Sequence, residues 1–121
     1  NLESPSFYDE VIRLLKKRGF DIAPECLDRN WAEPYKSHES IEKAWLDIYK
    51  DPQPSNDLYL FGELLTELAD IFARYRFQHY TTVERILGFK PGTGGSAGVN
   101  WLKTMAAHRF FPELWTMRTD L

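Results

Sequence analysis

Residues 57–87 read DLYLFGELLTELADIFARYRFQHYTTVERIL, and this stretch decides the fold. One set of residues recurs at alternating spacings of four and three, which is the period of one face of an α-helix. The set comprises Phe61, Leu65, Leu68, Phe72, Tyr75, His79, Thr82 and Ile86. Gly88 and Pro91 follow the set and end the pattern. The spacing predicts one long core helix over about 57–87, of the kind found in helical bundles.

Shorter helical patterns flank this stretch. Ser4 or Ser6 can cap a first helix that Gly19 ends, and Ser37 to Tyr49 carries a second apolar face. Residues 20–34 mix proline, polar and isolated apolar residues, which predicts an irregular connection. Ser96 can begin a short helix after a glycine-rich segment, and Pro112 a last helical turn. No strand pattern is present, so we predict an all-α, bundle-like fold and a single helical unit over residues 1–121.

Composition limits the function classes. The 121 residues are 43% hydrophobic and 15% aromatic, which suits a packed domain rather than a disordered chain. The net charge of −3 argues against a nucleic-acid surface. No apolar run reaches the length of a membrane span, and no signal peptide is evident. The chain does not begin with Met, so we expect a piece of a cytoplasmic protein. The lone Cys26 predicts a small buried hydrophobe without a catalytic role.

His79 lies among apolar and aromatic residues on the face of the long predicted helix. Burial there would disfavour a charged imidazolium, so we expect a neutral ring with one free nitrogen. A neutral imidazole of this kind can serve as an axial haem ligand. Periodicity alone favours a core histidine that is hydrogen-bonded to a carbonyl or carboxylate. A zinc site is disfavoured, because the three histidines are far apart in sequence and only one cysteine is present.

A glycine-rich loop follows the long helix, at Lys90-Pro91-Gly92-Thr93-Gly94-Gly95-Ser96-Ala97-Gly98. It lacks the Gly-Lys-Ser/Thr ending of a phosphate loop, and it follows a helix rather than the strand that a dinucleotide loop requires. A helix-to-helix turn needs fewer glycines. We interpret the loop as a clamp that closes on a small polar substrate.

Several motifs together resemble the C-terminal part of the tryptophan 2,3-dioxygenase family. They are Arg76-Phe77-Gln78-His79, Gly88-Phe89-Lys90, Thr93 with Gly94 and Gly95, and Phe110-Phe111-Pro112-Glu113-Leu114-Trp115. The resemblance is dense from Arg76 to Thr119 and sparse before it. The chain departs from the usual family pattern at three positions. Trp is more common than Tyr at position 75, a basic residue is more common than Gln at position 78, and Ser or Thr is more common than Ala at position 97.

The resemblance implies a haem-dependent enzyme that inserts both atoms of O2 across the indole C2–C3 bond of L-tryptophan, giving N-formylkynurenine. It implies that His79 is the axial ligand of ferrous haem b. It also implies that Thr93, Gly94 and Gly95 bind the amino-acid end of L-tryptophan. Alternatives are a related haem oxygenase acting on another indole, and a helical module that binds haem without catalysis.

The resemblance also implies partners for this chain. Family members are homotetramers. Their distal histidine and the arginine that binds the substrate carboxylate come from an N-terminal half that no segment here matches. We therefore expect that half to be supplied from elsewhere in the same polypeptide or by another chain.

Overall fold

The first helix is set by a capping box. In the computed structural model, which describes residues 5–88 and 109–121, helix α1 spans Phe7–Lys17. Ser6 is its N-cap: the Asp9 backbone N–H donates to Ser6 Oγ at 3.4 Å, and the Ser6 N–H donates to Asp9 Oδ2 at 2.8 Å. Gly19, with a φ of 96°, follows the last turn. The predicted helix, its Ser6 cap and its end at Gly19 are confirmed.

The connection after α1 is more regular than predicted. Residues Pro24–Leu27 form a single helical turn, α2, which has proline at its first position and packs against α1. Cys26 in this turn is buried, as the sequence predicts. The prediction of a wholly irregular segment is wrong here, because a four-residue helix is too short to show an apolar period.

Helix α3 spans Glu39–Lys50 and buries the face that the sequence predicts, formed by Ile41, Ala44, Trp45 and Ile48. Its N-cap is His38 rather than Ser37: the Ser40 N–H donates to His38 Nδ1 at 3.0 Å. Trp45 is among the largest fully buried side chains and lies against Gly62 of the next helix, where an added Cβ would sit 3.0 Å from the indole. Glycine at this position therefore permits the close approach.

The long predicted helix is present as α4, which spans Asn56–Leu87, a length of about 48 Å at 1.5 Å per residue. Its predicted apolar face is only partly packed. Leu65 is buried, but Phe72, Tyr75 and Ile86 are 42%, 65% and 74% exposed. The expectation of one continuous buried core face is wrong for the C-terminal half of α4. Periodicity identifies the face on which a residue lies but not whether anything covers that face.

The end of the chain folds as helix α5, Pro112–Thr116, followed by a 3₁₀ helix over Met117–Asp120. Both pack on α3. Phe111 precedes α5 with a φ of 55°, and its ring meets the ring of Phe7 edge-on at 5.6 Å. The predicted last turn from Pro112 is confirmed.

The chain divides into two compact units: one comprises Asn1–Glu63 with Phe111–Leu121, and the other comprises Leu64–Phe110. The single helical unit expected over residues 1–121 stays a prediction. Within the described ranges every regular element is helical, which confirms the all-α class. No helix among these residues is long and apolar enough to cross a bilayer.

Candidate functional site

His79 lies on α4, nine residues before Gly88, in a solvent-exposed position. Its ring is nearly parallel to that of Tyr75 one turn earlier, with an interplanar angle of 6° and ring centroids 6.4 Å apart. It makes no hydrogen bond or ion pair with any residue in the described ranges. The expectation that His79 is buried is therefore wrong. No described residue engages either ring nitrogen, so the hydrogen-bonded core histidine is not seen in this part of the chain.

An exposed apolar surface surrounds His79 on α4. We define the α4 stripe as six residues that share one side of the helix and are 39–74% exposed: Leu64, Leu68, Ile71, Phe72, Tyr75 and Ile86. Exposed apolar surface on a folded chain can mark a ligand or protein contact. An imidazole bordered by such a surface suits a flat, largely apolar ligand that carries a metal.

Thr82 is the polar member of the face predicted from the sequence. Its hydroxyl donates to the Gln78 carbonyl at 3.0 Å, one turn back along α4, and the Thr81 hydroxyl donates to the Phe77 carbonyl at the same distance. Both hydroxyls are thus satisfied by their own helix. An apolar ligand can approach Thr82 without leaving its hydroxyl unpaired.

Arg76 lies one turn before His79 and is half-buried. Its guanidinium carbon lies 4.5 Å from the centroid of the Phe110 ring, and Phe110 in turn meets Phe72 edge-on at 5.6 Å. Arg76 Nη1 is buried and has no hydrogen-bond partner among the described residues. This arrangement holds a positive charge beside the histidine without a counter-ion from the described part of the chain.

The remaining predicted site residues, Thr93, Gly94 and Gly95, lie outside the residues that the structure describes, as does the predicted helix after Ser96. The described chain reaches the loop at Gly88. This residue has a φ of 63° and donates its N–H to the Glu84 carbonyl at 2.8 Å. The left-handed conformation ends α4 as the sequence predicts.

Two of the acidic residues on α4 that could suggest acid–base chemistry are ion-paired. Asp70 pairs with Arg74 at 3.1 Å, and Glu63 pairs with Arg118 at 3.2 Å. Within residues 5–88 and 109–121, no group of three or more His, Cys, Asp and Glu side chains is placed to hold a metal ion. His79 is therefore the described residue best placed to ligate a metal that brings its other ligands with it.

A buried polar cluster that the sequence did not reveal joins α5 to the start of α3. Tyr35 donates its hydroxyl hydrogen bond to the fully buried Glu113, whose Oε2 also accepts from the His38 backbone N–H at 3.0 Å. Burial raises the pKa of Glu113, although these hydrogen bonds act in the opposite direction. Burial and the neighbouring carboxylate likewise raise the pKa of Tyr35. Phe-Phe-Pro-Glu-Leu-Trp carries no periodic sign of a buried acid, so sequence reasoning missed the cluster.

A chain of hydrogen bonds beside this cluster has the composition of a catalytic triad. Glu25 Oε1 lies 3.0 Å from His38 Nε2, and His38 Nδ1 lies 2.9 Å from Ser40 Oγ. However, Ser40 Oγ also accepts from the Ala23 N–H at 3.2 Å, and His38 Nδ1 caps α3. These atoms are engaged in holding helix ends, so the arrangement is structural.

Comparison with known proteins shows a family that this chain matches. The model of the tryptophan 2,3-dioxygenase family matches residues 3–121. A tryptophan 2,3-dioxygenase of Burkholderia ambifaria is 54% identical over 120 residues, which cover 99% of this chain and 39% of that protein. Enzymes of the same name from a Polaromonas species and from Cupriavidus necator are 51% and 48% identical over 98% and 99% of this chain. The chain spans about two fifths of the length of these relatives.

Proposed function

Because this chain belongs to the tryptophan 2,3-dioxygenase family, we propose that it forms part of a haem-dependent dioxygenase that converts L-tryptophan to N-formylkynurenine. The observation that carries the proposal is the match over nearly the whole chain to relatives of that name. The reaction inserts both atoms of O2 across the indole C2–C3 bond. When bound, haem supplies the iron and the redox chemistry with O2, and the protein positions the reactants and excludes water.

In this proposal His79 is the axial ligand of haem b. The described residues fit that role, because the imidazole is exposed, is free of hydrogen bonds within the described ranges and borders the α4 stripe. Axial ligation needs an unprotonated nitrogen with open access. The stripe offers an apolar surface to a porphyrin, and the self-bonded Thr82 hydroxyl adds no unpaired polar group to it.

The substrate part of the proposal rests on the loop. We assign Thr93, Gly94 and Gly95 to the amino-acid end of L-tryptophan, on the basis of the Gly-Thr-Gly-Gly sequence that resembles the substrate loop of the family. A threonine hydroxyl can both donate and accept, as binding an ammonium and a carboxylate requires. Residues that complete the pocket would come from the part of the family polypeptide that this chain does not cover, within a homotetramer.

The test is a spectrum of the haem-loaded protein that contains this chain. His79→Gly should abolish the absorption features of imidazole-ligated haem, and added imidazole should restore them by occupying the vacated position. Gln78→Gly, at the preceding exposed position of α4, is the matched control and should leave the spectrum unchanged. A His79→Gly protein with an unaltered Soret band would contradict the assignment of His79.

A further inference from the structure

Arg76 is half-buried, and no described residue supplies a counter-ion to it. Its Nη1 is buried and lacks a hydrogen-bond partner in residues 5–88 and 109–121. The helical neighbours one turn away on either side are Phe72, Ala73, His79 and Tyr80, so none of them carries a carboxylate. An unpaired guanidinium nitrogen that is shielded from water is costly, so a partner from outside the described residues is expected to satisfy it.

The arginine is held in place rather than free to turn into solvent. Its guanidinium stacks over Phe110 at 4.5 Å, and Phe110 is itself packed edge-on against Phe72 of α4. Stacking engages the flat face of a guanidinium and leaves its N–H groups free at the edge. Arg74, two residues earlier, contrasts with it: its side chain is 71% exposed and pairs with Asp70. The buried, unpaired nitrogen of Arg76 therefore distinguishes it from Arg74 on the same helix.

We propose that Arg76 binds a propionate carboxylate of the haem whose iron His79 ligates. This inference rests on the proposed function, because it takes haem as the ligand of His79. A guanidinium edge matches a carboxylate in shape and charge, and such a charge-assisted pair is stronger than a neutral hydrogen bond. Arg76 is thus a cofactor-positioning residue that fixes the rotation of the porphyrin about the His79–iron axis.

The substrate also carries a carboxylate, but the placement of Arg76 favours the haem. Arg76 and His79 are one turn apart on the same helix, so both approach the porphyrin from the side of the axial ligand. If His79 holds the haem, O2 and L-tryptophan would bind on the other side of the cofactor. Arg76 would then be placed to reach a propionate from the side of His79, rather than the carboxylate of the substrate.

The test uses the complete protein and measures the rate at which it loses its cofactor. It compares haem with haem dimethyl ester, in which both propionates are neutral. Arg76→Gln should speed the loss of haem to an excess of a haem-acceptor protein on the order of tenfold or more, since it removes a charge-assisted hydrogen bond. It should not change the loss of the dimethyl ester. Arg76→Lys keeps the charge and should lie between wild type and Arg76→Gln for haem. Arg74→Gln makes the same charge change on the same helix and should affect neither cofactor.

The outcomes separate the inference from the function on which it rests. Equal losses of haem and dimethyl ester in Arg76→Gln would mean that Arg76 only supports Phe110, and would overturn the propionate assignment. Unchanged haem retention combined with weaker L-tryptophan binding would assign Arg76 to the substrate carboxylate and also overturn it. Failure of the wild-type protein to show imidazole-ligated haem would instead overturn the proposed function, and the inference with it.

Discussion

The hydroxyl of Tyr35 donates a hydrogen bond to Glu113, 78 residues later in the chain. The same carboxylate accepts the N–H of His38 at the start of α3, so one buried acid joins the last helix to the residues before α3. Glu113 is only 2% exposed, and the hydrogen bonds from Tyr35 and His38 partly offset the cost of burying its carboxylate.

Glu113 should make the folding stability of the protein depend on pH. Burial raises its folded pKa above the ordinary value of 4.5, so the folded state binds a proton more tightly than the unfolded state. The stabilisation that comes from this proton is complete below the unfolded pKa and is lost as the pH rises through the folded pKa. Glu113→Gln, which retains an oxygen to accept both hydrogen bonds, should therefore become more stable relative to wild type as the pH rises from below 4.5 through the folded pKa of Glu113.

The measurement is urea unfolding of both proteins across that pH range. Glu67→Gln, a change of the same kind at an exposed residue of α4, serves as the control for general charge effects. A constant difference between wild type and Glu113→Gln at every pH would refute the prediction.

The buried ion pair between Arg29 and Asp9 should be a major stabilising feature. Arg29 Nε and Nη2 donate to the two oxygens of Asp9 at 2.9 Å, and the side chains are 15% and 5% exposed. Burial alone would raise the pKa of Asp9, but hydrogen bonds from Arg29 and Ser6 outweigh it and lower the pKa. Arg29→Ala leaves this carboxylate unpaired and should reduce the free energy of unfolding by about 3–5 kcal/mol.

Arg13→Ala is the matched comparison, because Arg13 pairs with Glu10 on the same helix at 3.3 Å with both side chains at least half exposed. It should cost less than about 1 kcal/mol. Chemical denaturation of the two variants under one condition gives both values. Similar losses in the two variants would show that burial does not set the strength of the Arg29 pair.

The α4 stripe should cause the 121-residue chain, expressed by itself, to associate. Leu64 is 64% exposed within this stripe, and exposed apolar surface of this extent favours self-association in water. Sedimentation velocity should show oligomers that Leu64→Gln reduces. Leu121→Gln removes an equally hydrophobic side chain that is 57% exposed at the chain terminus and should not reduce them. A monomeric wild-type chain at all concentrations would count against a role for the stripe in association.

Substitution of Thr93 should affect the turnover of substrates that carry an amino-acid side chain more than the turnover of substrates that lack one. If its hydroxyl binds the ammonium or carboxylate of L-tryptophan, Thr93→Ala should weaken turnover of L-tryptophan by about 0.5–1.5 kcal/mol in transition-state stabilisation. An indole without the amino-acid side chain should be affected much less. The values of kcat/KM for the two substrates provide the comparison, with Thr93→Ser as the control that keeps the hydroxyl. Equal effects on both substrates would place Thr93 outside the substrate contact.

The helices could be predicted from the sequence wherever a local rule sufficed. The period of four and three located α4 to within one residue at its start, and Gly19 and Gly88 marked two helix ends. The apolar face of α3 was also predicted in full. These features depend on residues within a few turns of one another, which is the range over which sequence patterns report structure.

The features that escaped prediction depend on distant or missing contacts. Glu113 is buried by residues more than seventy positions away, and no pattern around it signals a buried acid. The sequence pattern assigned His79 to the apolar face of α4, but the exposure of its side chain depends on which residues cover that face. The resemblance of Arg76-Phe77-Gln78-His79 to a family motif singled out His79 where periodicity alone favoured an ordinary core histidine. The unpaired nitrogen of Arg76 became visible only in three dimensions.

The cap on α3 gives spectroscopy of this protein an internal reference. His38 Nδ1 accepts the Ser40 N–H, so the proton of the neutral ring must reside on Nε2, where it faces Glu25. Its nitrogen resonances should therefore report a single tautomer for as long as α3 is folded. In a haem titration followed by nuclear magnetic resonance, the His38 signals would monitor the fold while those of His79 monitor ligation. One spectrum could then separate loss of the ligand from loss of structure.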